Sequence, residues 1–400
     1  MPAPVPPLPD GSPAHRGSTR RSTDRRGLLK LLGAGGVAVA AGGALAGCSS
    51  REVQDGKDGK GTAPSGSAGF TVTDQRGVKI SFDGPVSKIA TTVIPSPSIL
   101  AAVDGGVDRI VGINESTLVA NKQGIFGEMF PASTKTRTVS GSDFVPNVET
   151  LLSLEPDVVI QWGDMGDEVI APLENAGFKV IGLTYGTQEK LETWISLFGK
   201  ITGNESRADE LVSWMHAEKT AVSALVRGQQ RTGQKVLYLR AAADGWTSYN
   251  GSGYMNFCTE LVGGVNPAKD LKAASPQVST EQILEWDPDV ILLSAFDEKP
   301  PAALYGDAKL ARVRAVRDRR VYKIPLGGYR WDPPCAESPL MWRWMAQVLH
   351  PSTAGANGLR AQLTGAFDRL YGYRISSAQV DDVLRLDLNS RSSGHDGFRA

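Results

Sequence analysis

The strongest constraint on this 400-residue chain is a segment that occurs twice. Val148-Glu149-Thr150-Leu151-Leu152-Ser153-Leu154-Glu155-Pro156-Asp157-Val158-Val159-Ile160 matches Thr280-Glu281-Gln282-Ile283-Leu284-Glu285-Trp286-Asp287-Pro288-Asp289-Val290-Ile291-Leu292 in its Glu, its Pro-Asp pair and its apolar positions. Each copy reads as a short helix, a Pro-Asp stop that cannot continue it, and a buried strand. The alternative is chance recurrence of a common helix-turn-strand unit. Two related lobes, one copy in each, explain the pair more simply.

The rest of the body fits that plan. Phe70 to Phe82 alternates polar and apolar residues about Arg76-Gly77, as a hairpin does. Short apolar runs read as strands at Lys88–Ile94, Arg109–Ile113, Val158–Trp162 and Lys179–Leu183. A second set follows at Lys235–Arg240, Val290–Ser294 and Val321–Ile324, with helical stretches between the runs. Between the sets, Ser206 to Gly228 holds no Pro and no internal Gly. Ala208, Leu211, Val212, Met215, Val222 and Leu225 recur there at helical spacing. A helix of that length extends about 34 Å. The expected fold class is therefore α/β: two Rossmann-like lobes joined by one long backbone helix, with a ligand cleft between the lobes. Such a helix resists bending, so closure on a ligand is expected to be a small rocking motion.

The first 69 residues stand apart from this body. Residues 1–24 are rich in Pro, Ser and Arg. Arg25-Arg26 then precede an apolar run of mainly Gly, Ala, Val and Leu that ends in Leu45-Ala46-Gly47-Cys48. A basic region, a moderate apolar stretch and small residues before a cut form the layout of a secretory signal. The paired arginines resemble the twin-arginine export signal, from which Asp24 and Leu28 depart. Leu45 to Cys48 resembles a lipobox, with Cys48 as the lipidated residue. The rival reading, a transmembrane anchor, is disfavoured by the weak hydrophobicity of a Gly- and Ala-rich run. Residues 49–69 are polar and Gly/Ser-rich, a flexible tether with a reach of about 25 Å. The expected organisation is a cleaved signal over 1–47, a lipidated Cys and tether over 48–69, and an N-terminal α/β lobe over 70–186. A helical connection over 187–230, a C-terminal α/β lobe over 231–389 and a disordered tail over 390–400 complete it. The product is an exported protein held by lipid on the outer face of the cytoplasmic membrane.

Composition removes several function classes. Forty-three basic residues balance 43 acidic ones, which argues against a nucleic-acid partner. Only His15, His216, His350 and His395 occur, none near another, so a histidine-rich metal site is disfavoured and no metal or cofactor is expected. His216 and His350 fall in helical patterns and read as structural residues. Cys48, Cys258 and Cys335 show no paired spacing; a Cys258–Cys335 bond is left open.

With these residues in view, positions 70–389 resemble the substrate-binding proteins of ABC importers for ferric siderophores, haem and cobalamin. FTVTDQRG at Phe70, the two Glu-x-x-Leu-x-x-x-Pro-Asp-Val segments, Glu260-Leu261-Val262-Gly263-Gly264-Val265-Asn266 and SPLMWRWMAQVLHP at Ser338 carry the resemblance. It implies a two-lobe fold and a small-molecule ligand, with the membrane subunits of an ABC permease as partner. It also implies that Glu149 and Glu281 dock on permease arginines, one from each lobe. Two carboxylates far apart on one rigid face give both register and steering. Each also lies in the first turn of a helix, where its charge favours the helix dipole, and Ser279 with Gln282 reads as a capping box.

Ligand contacts are expected from loops at the carboxyl ends of the strands, where open α/β sheets leave a crevice. The candidates are Trp162 and Tyr185 in the first lobe, and Arg240, Trp246, Tyr254, Phe296, Tyr329, Arg330 and Trp331 in the second. Aromatic faces with a few guanidinium forks suit a bulky, partly apolar, anionic chelate. Core packing is the competing reading for each aromatic, and a solvated surface for each arginine. A ferric siderophore ranks above haem, cobalamin or a metal oxyanion on this inventory. The chain shows no Gly-x-Ser-x-Gly elbow and no HExxH, so it reads as a monomeric carrier and not an enzyme. An extracellular enzyme with scattered catalytic residues, or a binding lipoprotein that feeds a sensor, are the rival classes.

Overall fold

The computed structural model describes residues 69–227, 229, 233–351 and 356–399. The export signal read at Arg25 and Arg26 and the lipidation site at Cys48 lie outside them. Among the described residues, no helix is long and apolar enough to cross a membrane.

The first lobe opens with a hairpin of β1 (Phe70–Thr73) and β2 (Lys79–Phe82). Gly77 turns it with φ 85°, a left-handed geometry that favours glycine. The Asp74 carboxylate holds the turn through the amides of Arg76 and Val78. Its other oxygen takes the Gly182 amide and so fastens the hairpin to the main sheet. That sheet contains β3 (Ile89–Thr91), β4 (Ile110–Asn114), β5 (Arg137–Ser140), β6 (Val158–Trp162) and β7 (Val180–Leu183). All its pairs are parallel, in the order β5-β4-β3-β6-β7. The chain leaves β3 in one direction and returns to its other side at β6. An open α/β sheet leaves its crevice beyond the carboxyl ends at such a reversal.

The second lobe has its own sheet, separate from the first. It comprises β8 (Gln234–Ala242), β9 (Gly245–Thr247), β10 (Gly264–Val265), β11 (Gln277–Val278), β12 (Val290–Leu293) and β13 (Val321–Lys323). The order is β11-β9-β8-β12-β13, with β10 beside the start of β8. Strand β8 divides its side chains by parity. Val236 and Tyr238 join the large core, whereas Leu237 and Leu239 join a second cluster on the opposite face.

The sequence repeat is a structural repeat. Helices Val148–Leu154 and Thr280–Trp286 are capped by Asn147 and Ser279, whose side chains accept from Thr150 and Gln282 amides. Both helices end in a left-handed residue, Glu155 at φ 49° and Asp287 at φ 41°, and the next residue is proline. The aspartate after each proline ties the turn to the strand that will lie beside it. Asp157 accepts from the Lys88 amide and Asp289 from the Lys235 amide, each at 2.8 Å. Lys88 and Lys235 then donate their ammonium groups to Leu154 and Trp286 carbonyls at the two helix ends.

One helix, Glu205–Val226, spans 22 residues, or about 33 Å at 1.5 Å per residue. It packs on helix Gln188–Thr202 of the first lobe and on helix Ser338–Leu349 of the second. The chain also crosses back. Helix Ala356–Tyr371 packs against Ser96–Asp104 of the first lobe. At its end the Tyr371 ring meets Phe126 and Phe130 edge-on, with centroids 6.3 and 6.1 Å away. The lobes are thus braced twice.

Residues 390–399, expected to be disordered, pack against the second lobe. Ser392 donates to the Val321 carbonyl, the Ser393 amide donates to Arg319, and Tyr322 donates to Ser393. His395 and Phe398 are buried. The His395 ring packs against both Phe398 and Tyr322, with centroids 4.9 and 6.0 Å away. A polar composition concealed these few anchoring groups. Deleting residues 390–400 is expected to lower unfolding stability by about 2–4 kcal/mol, from one buried aromatic ring and several hydrogen bonds. Urea denaturation followed by circular dichroism measures it; an unchanged midpoint would show that the tail contributes nothing.

Candidate functional site

The carboxyl ends of the two sheets bring side chains of both lobes into one buried polar seam. From the second lobe, Arg330 donates through Nε to the Ala295 carbonyl at 3.1 Å. Its Nη1 reaches across to the Ser116 carbonyl of the first lobe at 3.3 Å. Ser116 stands at the start of the helix that follows β4, where the strand-end rule places a crevice. Phe296, just past β12, lies against two guanidinium groups. Arg240 sits 5.0 Å and Arg330 4.6 Å from its ring centroid. Tyr329 completes the group: its ring lies 5.5 Å from the Arg330 guanidinium and its hydroxyl accepts from it. Burial pushes that phenol up to about 12, so it stays protonated.

Asp332 supplies the countercharge. It is fully buried, and its Oδ2 accepts from the Tyr238 hydroxyl at 2.9 Å and the Ser294 hydroxyl at 2.8 Å. The Ala295 amide donates to the same oxygen. Its Oδ1 has no partner. Tyr238 and Tyr249 lie close, with ring centroids 4.7 Å apart. Burial pushes the phenols of Tyr185, Tyr238 and Tyr249 upward, and the negative charge of Asp332 adds to the effect. The Tyr185 hydroxyl comes from the first lobe and is buried without a partner, as are the hydroxyls of Ser96 and Ser116. A buried group without a partner costs about 1–3 kcal/mol of desolvation. These three hydroxyls and the Asp332 Oδ1 leave hydrogen-bonding capacity unused at the seam.

Of the expected contact residues, Tyr185, Arg240, Phe296, Tyr329 and Arg330 meet at this seam. Trp162 lies at its floor, fully buried, edge-on to Phe144, Tyr185 and Trp194, with its Nε1 unpartnered. Three expectations are corrected. Trp246 pairs with Ala241, and Thr247 with Arg240, so the period-two pleat turns Trp246 to the opposite sheet face. There it packs on the second core cluster beneath Lys299. Tyr254 is buried beside the connecting helices, where its hydroxyl donates to Gln188 and accepts from Trp342. Trp331 follows Arg330 in the chain but turns inward, donating its indole N–H to Glu337. Sequence reasoning missed Asp332, Tyr238, Tyr249 and Ser116. Tyr238 carried a readable signal, since it lies two residues before Arg240 on the same face of β8.

The remaining candidates have structural partners. His216 pairs with Glu192 at 3.0 Å, and the buried His350 ring lies 2.8 Å from the Val262 carbonyl. Cys258 and Cys335 are buried and unbonded, and burial pushes both thiols up. No group of three or more metal-ligating side chains occurs among the described residues.

Glu337 holds the Arg330 loop in place. It is fully buried and accepts from the Gly328 amide, the Trp331 indole and the Tyr371 hydroxyl. Burial raises its carboxyl from 4.5 to about 7 in the folded chain. The native state therefore retains the proton over a range where the unfolded chain has released it. Its contribution is complete below about pH 4.5 and is lost as pH rises through 7. Glu337→Gln, which cannot ionise, is expected to flatten the fall in stability between pH 5 and 7.5. Parallel urea midpoints for the two proteins would reject this if their pH slopes coincide.

A family model described as periplasmic binding protein matches residues 93–326. The crystal structure of a periplasmic solute binding protein from Veillonella parvula is 33% identical with a TM-score of 0.73, over 81% of this chain and 99% of that one. The molybdate-binding protein of Haemophilus influenzae is 25% identical, over 51% of this chain and 64% of its own. A cobalamin-binding protein of Halobacterium salinarum is 26% identical, over 63% of this chain and 66% of its own. The chain thus spans just under two thirds of the length of these two curated relatives.

Proposed function

We propose, starting from the fact that this chain belongs to the periplasmic binding protein family, that it captures an anionic solute between its lobes and delivers it to an ABC-type permease. The observation that carries this reading is the Arg330 bridge to Ser116, set beside Arg240 and a row of unpartnered hydroxyls. A ligand oxygen placed there replaces the Ser116 carbonyl on Arg330 and accepts from Ser96, Ser116 and Tyr185. Charge-assisted hydrogen bonds in a water-poor seam are the strong kind. The unpaired Oδ1 of Asp332 selects in addition for a ligand that also donates.

A ferric siderophore is the solute class we favour. Phe296 with two guanidinium groups against it offers both ring area and cation to a partly apolar chelate with anionic oxygens. The second reading is a metal oxyanion. The small hydroxyls at the strand ends, and a seam closed far enough for direct Arg330–Ser116 contact, favour it. The relatives named for molybdate and cobalamin keep the ligand size open. Export and lipid anchoring at Cys48 belong to the same reading and rest on the Arg25-Arg26 and Leu45-to-Cys48 segments.

Tryptophan fluorescence during titration with ferric siderophores, cobalamin and molybdate tests the ligand class. Arg330→Ala is expected to weaken binding about 10- to 100-fold, the loss of one charge-assisted bond. Trp246→Phe, on the far sheet face, should leave affinity unchanged. Equal affinities for wild type and Arg330→Ala would remove the seam as the site.

Docking uses Glu149 and Glu281, exposed at equivalent positions of the repeated helices. Neither forms an ion pair among the described residues. The combined change Glu149→Ala and Glu281→Ala is expected to leave solute affinity intact and lower cellular uptake. Unchanged uptake would remove the assigned role.

A further inference from the structure

The repeated helices expose something besides their glutamates. Leu152 is 53% exposed and Leu284 38%, two of the six large hydrophobic residues so exposed among the described residues. They occupy the same position of the repeat. Each lies three residues after its glutamate, so Glu149 and Leu152 share one helix face and Glu281 and Leu284 share the other. A single exposed leucine needs no explanation. Two at equivalent sites, each beside an unpaired carboxylate, repeat a composite surface.

We propose that Leu152 and Leu284 are the apolar anchors of permease docking, each seated in an apolar hollow of a membrane subunit beside the cation that receives Glu149 or Glu281. This rests on the docking role assigned above to the glutamates. Charge complementarity commits the occupant. Each exposed carboxylate lacks an ion pair among the described residues and so fits a partner that offers a cation. The pairing of patches by the internal repeat fits a partner with two like subunits. The division of labour is physical: carboxylates steer approach over a salt-dependent range, and buried leucines slow departure.

The full chain in its source cells tests this, with uptake measured from radioactive ferric desferrioxamine and from radioactive molybdate. Leu152→Ser with Leu284→Ser is expected to cut uptake of the bound solute at least about tenfold, the loss of two interface anchors. Melting temperature should fall by only a few degrees, because both side chains are partly exposed, and the solute titration curve should match wild type. A photo-crosslinking residue at 152 or 284 should capture a membrane-spanning ABC subunit, identified by mass spectrometry. Uptake that falls for the glutamate pair but not for the leucine pair would overturn the anchor role alone. Uptake that falls for neither would overturn the glutamate docking as well. Crosslinks to lipid only would also overturn the proposal.

Discussion

A helix bends only by giving up backbone hydrogen bonds, and the Glu205–Val226 rod transmits that stiffness to both lobes. Everything at the seam depends on it. Arg330 reaches Ser116 only because the two sheets are held with their carboxyl ends facing. The return of the chain through Ala356–Tyr371 reinforces the constraint, since Phe126 and Phe130 of the first lobe clasp the Tyr371 ring. Tyr371 in turn donates to Glu337, which positions the Arg330 loop. The position of the lobes and that of the Arg330 loop are therefore coupled through one buried carboxylate.

The seam also shows how the chain keeps charge inside. Arg240 and Arg330 face a single phenylalanine ring, and Asp332 lies fully buried near them, fed by Tyr238, Ser294 and the Ala295 amide. Lys323, also buried, pairs with Asp297 at 3.0 Å, and burial lowers its ammonium. Buried cations are thus held by hydrogen-bonded carboxylates and carbonyls, as the desolvation of ions requires.

Much of this was legible in the sequence. Strand Val158–Trp162 has the bounds its apolar run suggested, and the duplicated Glu-to-Pro-Asp segment marked two lobes because the same anchors recur at Asp157 and Asp289. Arg240 and Arg330 stood out as cations just past strands. The misses have physical causes. Strands β9, β10 and β11 are two or three residues long, too short to show a period. Trp246 looked like Arg240 by neighbourhood, yet it pairs with Ala241 and so points to the other sheet face, and Trp331 turns in to Glu337 at the bend after Arg330. Asp332 gave no signal, because its partners at 238 and 294 are joined to it only by the fold.

In the capture reading proposed above, the Arg330–Ser116 contact serves the seam as a resident stand-in for the cargo. An arriving solute performs a swap, with one acceptor leaving the guanidinium as another takes its place. The net gain on capture is correspondingly trimmed, and the reverse step is eased by the same amount. When the cargo departs, the carbonyl returns to the guanidinium and no stripped charge is left behind. A carrier wired this way trades some grip for a clean handover.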